Sequence, residues 1–366
     1  MSPQLDVQLV AVVVAVACAL PGTFLVLRRM AMMSDAISHA ILPGIVVGFF
    51  VTESLGSPLL LVGAALTGVL TVALVEGIER TGLVHEDAAI GLVFPVLFSI
   101  GVLLIAQYAN DVHLDTDAVL LGELAFVPFD RVTLFGTDAG PRALWTMGVI
   151  LILNLAFLAA FYKELKLATF DPALAAALGF APGALHYALM SLVSVTAVGA
   201  FDAVGSILVV ALMIGPPVTA YILTDRLPLM IGGSAALGIA NALVGYALAA
   251  ALDASIAGCM ATVTGLTFGL VVLVAPERGI LAMGLRNRQQ ASRFADQMLA
   301  EYLAATDATP SDADLPQRLH DRFGWSAEKA HDVIHRVRTR ASDDAAAPPD
   351  RSSHRRETFA TDAPER

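Results

Sequence analysis

Apolar runs recur along most of the chain, at approximately 7–27, 37–52, 58–78, 88–107, 142–162, 184–201, 206–223, 229–251 and 256–275. Each helical residue advances ~1.5 Å, so a hydrocarbon layer ~30 Å thick is crossed by about 17–25 such residues. The pattern therefore predicts an all-α, polytopic membrane helical bundle of eight or nine spans. The lower count applies if 184–201 and 206–223 form one broken element. After Arg286 the chain turns polar and the apolar positions become sparse stripes at helical spacing. Phe294, Met298 and Tyr302 run beside Leu299 and Leu303, then come Leu315, Leu319 and Phe323, then Ala330, Val333, Ile334 and Val337 behind a Ser326 cap. The resulting division is a transmembrane domain over 1–284, a small helical appendage of three helices over 285–340, and a tail over 341–366. The tail's Pro, Asp, Ala and Arg content is that of a segment too polar to fold.

Composition agrees with the pattern, since 57% hydrophobic against 15% charged residues in 366 excludes an ordinary soluble domain. Cys18 and Cys259 both fall within apolar runs and read as packing residues rather than as a disulfide framework. No Lys or Arg precedes the apolar stretch Leu9–Leu20, so the first run reads as a retained span rather than a secretory signal. With the amino terminus outside, Arg28, Arg29, Arg80, Lys163, Lys166, Arg226 and Arg278 fall on the inner side and only Arg131 and Arg142 on the outer. That asymmetry follows the positive-inside rule, which places the protein in the cell membrane with its appendage in the cytoplasm.

Charged and polar residues inside the apolar runs carry the candidate chemistry. Asp35 and His39 are four residues apart, hence on one face of a helix. An ionised carboxylate in a span costs about 2.5–3.5 kcal/mol even on insertion scales, which makes it a marker of an ion or substrate path. Carboxylate with imidazole suits Mn²⁺, Zn²⁺ or Fe²⁺, and two chains about a two-fold axis would supply two of each. The plainer alternative is that Ser34 or Asp35 caps a helix, which leaves His39 unexplained. In the outer connection, His113, Asp115 and Asp117 would share one side of an extended strand, as a docking or metal site or simply as a wet acidic loop.

The inner connection carries Asp171 as a cap, Pro172 in the first helical turn, helix-forming Ala173–Leu178 with Ala175 and Ala176 in its body, and Gly179 as the stop. A short cytoplasmic helix is predicted there, either a partner-docking element or an interfacial loop helix. Asp202 reads as a gate in the ion path or as the wet end of its helix, and Met213–Pro217 is predicted to break its span and face inward. His331 and His335, four apart in the appendage, read as a solvated helix face.

Nothing in the chain has the Gly-x-x-x-x-Gly-Lys-Ser/Thr pattern or a hydrolytic constellation, so neither ATP binding by that device nor an enzyme is expected. The helix-turn-helix-like stripes around Phe323-Gly324-Trp325-Ser326 lack following wing strands, so no nucleic acid partner is expected.

Leu27-Arg28-Arg29-Met30, Ser34-Asp35-Ala36-Ile37-Ser38-His39-Ala40 and Leu42-Pro43-Gly44 together resemble the signature of the membrane permease subunits of zinc/manganese/iron ABC importers. His113–Asp117 through Leu121-Gly122-Glu123, and Phe201–Ala220 with Thr224-Asp225-Arg226, are similar to later segments of that family, and the resemblance covers about 7–284. It implies a permease importing Mn²⁺, Zn²⁺ or Fe²⁺, with Asp35 and His39 as the intramembrane metal site and no permanently bound cofactor. It also implies a separate cytoplasmic ATP-binding subunit met through the helix after Asp171. An extracytoplasmic metal-binding protein would face the outer loop, and a second permease copy or paralogue would complete a dimer. The residues by themselves leave open a stand-alone proton-coupled metal transporter using Asp35 and Asp202, or a metal-sensing membrane protein.

Overall fold

The structure, a computed structural model, describes residues 2–52, 58–108, 124–134, 137–276, 279–306 and 314–346. Among these, nine helical segments are long and apolar enough to cross a membrane. They are α1 (Pro3–Leu27), α2 with α3 (Ala31–Ala40 and Leu42–Thr52, one span), α4 (Pro58–Glu79), α5 (Glu86–Tyr108) and α6 (Arg142–Phe170), followed by α8 (Pro182–Val204), α9 (Ser206–Leu223), α10 (Leu227–Leu252) and α11 (Ile256–Val274). A six-residue helix, α7 (Pro172–Ala177), lies between α6 and α8. The protein is a multi-pass membrane helical bundle. Two short antiparallel strands, β1 (Arg131–Leu134) and β2 (Thr137–Pro141), and a 3₁₀ turn at Leu124–Phe126 add the elements that hydropathy did not foresee.

The 184–201 and 206–223 runs are two helices. Gly205 between them has φ 80° and ψ 163°, a conformation that only glycine adopts without strain. The expected break at Pro216–Pro217 is absent, because α9 is continuous from Ser206 to Leu223. Two prolines remove the amides due to the Leu212 and Met213 carbonyls without bending the chain out of helix. The Met213 carbonyl is accommodated by Gly22, where a Cβ would lie only 1.9 Å from that oxygen. Met213, Pro216 and Pro217 are buried, so the segment does face inward.

α1 is the hub, packing on α6, α8, α9 and α10. Pro21 in its second half cannot donate to the Ala17 carbonyl, and lipid offers no substitute. Asn154 of α6 supplies the donor at 2.9 Å, and its amide also meets the Thr196 hydroxyl of α8 at 3.1 Å. Nearby, the Thr23 hydroxyl donates to the Ala19 carbonyl at 2.9 Å and to Ser234 of α10 at 3.3 Å. On the outer side Arg131 pairs with the fully buried Asp6 at 2.8 Å, and Leu124, Gly205 and Ser255 line one cavity.

α6 spans 29 residues but is two helical stretches that meet at Phe161, whose φ −110° and ψ 20° are non-helical, and its last turns follow that break. They lead directly into α7.

The chain divides into two compact units, Met1–Ile280 and Leu281–Arg366. The second contains α12 (Ile280–Thr306, which begins at the boundary), α13 (Leu315–Phe323) and α14 (Ala327–Ala346) around Leu299, Leu303, Leu315, Leu319, Trp325, Ala330 and Val333. Phe294, placed in that stripe by spacing, is 63% exposed, and α14 continues past the boundary set at 341.

α3 and α4 cross where Gly44 and Gly63 meet: a Cβ on Gly63 would stand 2.4 Å from the Gly44 carbonyl oxygen. Small residues at such crossings let helix backbones touch in lipid. Gly63→Ala is therefore expected to cost about 1–3 kcal/mol. It should lower the thermal aggregation midpoint of the purified protein, whereas Gly77→Ala on the same helix, with open space around it, should not.

Candidate functional site

Asp35 and His39 occupy the second and third turns of α2, and the helix puts them side by side, with His39 Nε2 3.5 Å from Asp35 Oδ1. Their neighbours on α2 face the core. Met33, Ser34, Ala36, Ile37, Ser38 and Ala40 are buried, while the His39 and Asp35 side chains are 35% and 40% exposed. The two serines are satisfied within the bundle, Ser34 Oγ donating to Met213 Sδ at 3.0 Å and Ser38 Oγ to the Ser34 carbonyl at 2.9 Å. Neither Ser34 nor Asp35 caps α2, whose N-cap position is Met30. That removes the capping explanation for the carboxylate.

The His39 ring lies 6.1 Å from that of Phe94 on α5, which leaves one flank of the imidazole apolar. Pro43, four residues on, cannot donate to the His39 carbonyl, and the helix is interrupted at Ile41 just beyond the pair. The result is a carboxylate and an imidazole presented together on an open face. Among the described residues no group of three or more His, Cys, Asp or Glu is arranged to hold a metal, so one chain offers two such donors here.

Asp202 lies in the last turn of α8, exposed, within electrostatic reach of Arg142 and Asp130 at the outer end. Asp35, close after the inner turn at 28–30, belongs to the opposite end of the bundle. The structure does not bring the two acids together. His113, Asp115 and Asp117 lie outside the described residues.

The helix expected after Asp171 is present as α7. Asp171 Oδ1 accepts from the Leu174 amide at 2.9 Å, Pro172 takes the first turn, and Gly179 at φ 88° ends it, with the Phe180 amide returning to the Ala175 carbonyl at 3.0 Å. Ala175 is buried, while Phe170, Leu174, Leu178 and Phe180 around it are exposed at the inner face.

One inner cluster escaped the sequence reading, in which Arg28 and Arg80 served only to set orientation. Arg28, in the turn joining α1 to α2, donates through Nε to the Thr169 hydroxyl at 3.2 Å and through a terminal nitrogen to His186 Nδ1 at 3.1 Å. His186 Nε2 meets Glu76 Oε1. Because a guanidinium can only donate, Nδ1 is the accepting nitrogen, which makes the ring the neutral Nε2–H tautomer with Nε2 facing Glu76. Glu76 also accepts from Tyr187 at 2.6 Å and from Arg80 at 3.1 Å. The partners of Arg28 are 141 and 158 residues away in sequence, beyond the reach of any local pattern.

Comparison with known proteins places this geometry in context. The family model described as "ABC 3 transport family" matches residues 4–275. The zinc transport system membrane protein TroD of Treponema pallidum is 46% identical over 332 residues, 90% of each chain. A match of that length cannot end at 284, so this similarity extends into the carboxy-terminal unit, further than the motifs alone implied. The manganese transport system membrane protein MntD of Bacillus subtilis is 48% identical over 275 residues, 75% of this chain and 93% of its own. The solved structure of PsaBC from Streptococcus pneumoniae in complex with Fab aligns with a TM-score of 0.65 at 25% identity, covering 78% of this chain and 96% of that one. This chain belongs to the ABC 3 transport family.

Proposed function

We propose that the chain is the membrane permease subunit of an ABC importer for a divalent transition metal, Mn²⁺, Zn²⁺ or Fe²⁺, and that Asp35 and His39 are ligands on the ion's path. The observation that carries the assignment is the exposure of this pair, at 40% and 35%, on a helix whose other residues from 33 to 40 are buried. A carboxylate and an imidazole facing outward from an apolar chain are costly in lipid unless they face a cavity or a partner. A second permease copy or paralogue bringing the same pair would complete four donors, enough for the coordination these metals adopt. The names of the relatives, zinc for TroD and manganese for MntD, support a metal of this class.

Movement is driven from outside the chain. Phe170, Leu174, Leu178 and Phe180 form an apolar knob around α7 on the inner side, where water would otherwise oppose their exposure. A groove on a cytoplasmic ATP-binding subunit accounts for that exposure, with Asp171, Pro172, Ala175, Ala176 and Gly179 shaping the helix that enters it. An extracytoplasmic metal-binding protein delivers the ion at the outer face, where His113, Asp115 and Asp117 are the residues assigned to docking. Asp202 fits an outer gate position better than a proton relay, because it lies at the opposite end of the bundle from Asp35.

Asp35→Asn keeps the size and one acceptor oxygen and removes the charge. Together with His39→Ala it should abolish accumulation of isotope-labelled Mn²⁺ and Zn²⁺ while leaving the amount of assembled complex in the membrane unchanged. Wild-type uptake by both variants would eliminate the site. Replacing Ala175 and Ala176 with Asp should uncouple ATP hydrolysis from uptake without impairing insertion. Normal uptake there would mean that the ATPase docks elsewhere.

A further inference from the structure

Beside α7 is an open cleft of about 500 Å³ lined by Leu27, Arg28, Arg29, Thr169, Pro172 and His186 among others. It holds an unbalanced positive charge. Arg28 is half-buried, and its bonds go to a hydroxyl and a neutral imidazole, with its second terminal nitrogen buried and unpartnered. Burial alone moves its ionisation downward from the ordinary arginine range, with no carboxylate offsetting the effect. Arg29, exposed beside it, is held at φ 64°, in the left-handed region. Among the described residues no carboxylate stands within ion-pair distance of either guanidinium. The nearest acid in the network, Glu76, is reached only through His186 and is already shared with Arg80 and Tyr187.

A half-buried guanidinium without a counter-ion is an incomplete interaction, and Arg's planar fork is matched by a carboxylate. The cleft has Pro172 of α7 in its wall, so a partner docked on the apolar knob would lie beside its mouth. From these features we infer that the Arg28–Arg29 cleft receives an acidic side chain of the cytoplasmic ATP-hydrolysing subunit. This rests on the importer reading above and adds a polar anchor to it. The anchor has a consequence for coupling. Arg28 ties the end of α6, just before α7, to the turn that starts α2, seven residues before Asp35. Engagement of the partner's carboxylate is therefore felt at both the docking helix and the metal-bearing helix.

The test uses the full chain reconstituted in nanodiscs with its ATPase subunit. The amine introduced by Arg29→Lys should be coupled by a carbodiimide to an Asp or Glu of the ATPase, identified by mass spectrometry. In parallel, Arg28→Gln and Arg29→Gln should each weaken ATPase binding about tenfold in titrations at low salt, with the difference shrinking as salt rises. Coupling only to acids of the chain's own carboxy-terminal unit, or no coupling while the ATPase is retained, overturns the inference. So does unchanged affinity in both glutamine variants. If the wild-type chain does not retain the ATPase at all, the importer reading falls first. If retention is lost on substituting Ala175 and Ala176 but is indifferent to Arg28 and Arg29, this inference alone falls.

Discussion

Inside a bilayer a backbone carbonyl that loses its helical amide must find a donor from the protein, because neither water nor lipid supplies one. Pro21 creates that situation in the second half of α1, and Asn154 resolves it by donating to Ala17 while also holding Thr196. One side chain thus joins α1, α6 and α8 about a single point. α9 is set against the same helix by the fit of the Met213 carbonyl on Gly22, and α10 by the Thr23–Ser234 hydroxyl pair. The polar contacts of this core are few, and they act in a dry environment where each unmade bond carries its full desolvation cost. Where α1 ends, its closing turn carries Arg28 and delivers the chain into α2, so the position of the helix carrying Asp35 and His39 depends on the same scaffold.

The spans were legible because apolar length is a direct physical requirement of crossing lipid. The start of the second span was not. Hydropathy placed it at 37, whereas the helix begins at Ala31, and the difference comes from Ser34 and Asp35, which interrupt the apolar pattern before Ile37. Pro216–Pro217 misled in the other direction, since a proline pair normally ends a helix, yet α9 is continuous from Ser206 to Leu223, and Gly22 leaves room for the Met213 carbonyl against α1. The Asp171 to Gly179 helix was readable because its cap, first-turn proline and terminal glycine are local chemistry. The Arg28 cluster was unreadable because it is assembled from α1, α4, α6 and α8, which only the folded bundle brings together.

Two polar assemblies lie at opposite ends of α2's environment in function as well as in chemistry. The Asp35–His39 pair is part-exposed, has few partners and is suited to gain ligands, whereas the Arg28–His186–Glu76 network ties several helices together and is suited to transmit position, with one Arg28 nitrogen still without a partner. The first is what an ion would meet and the second is what a docking subunit would move. Neither is complete in one chain: the pair lacks further donors, and the cleft lacks an anion. On the proposed reading, a second permease would complete the first and an ATPase the second.

Metal stoichiometry is the direct test of whether the proposed Asp35–His39 site is shared between two permease copies. Purified permease dimer, loaded with Mn²⁺ and freed of excess ion, should retain one metal per two chains by elemental mass spectrometry combined with light scattering. Retention of one metal in each chain, or equal retention by separated single chains, would contradict it.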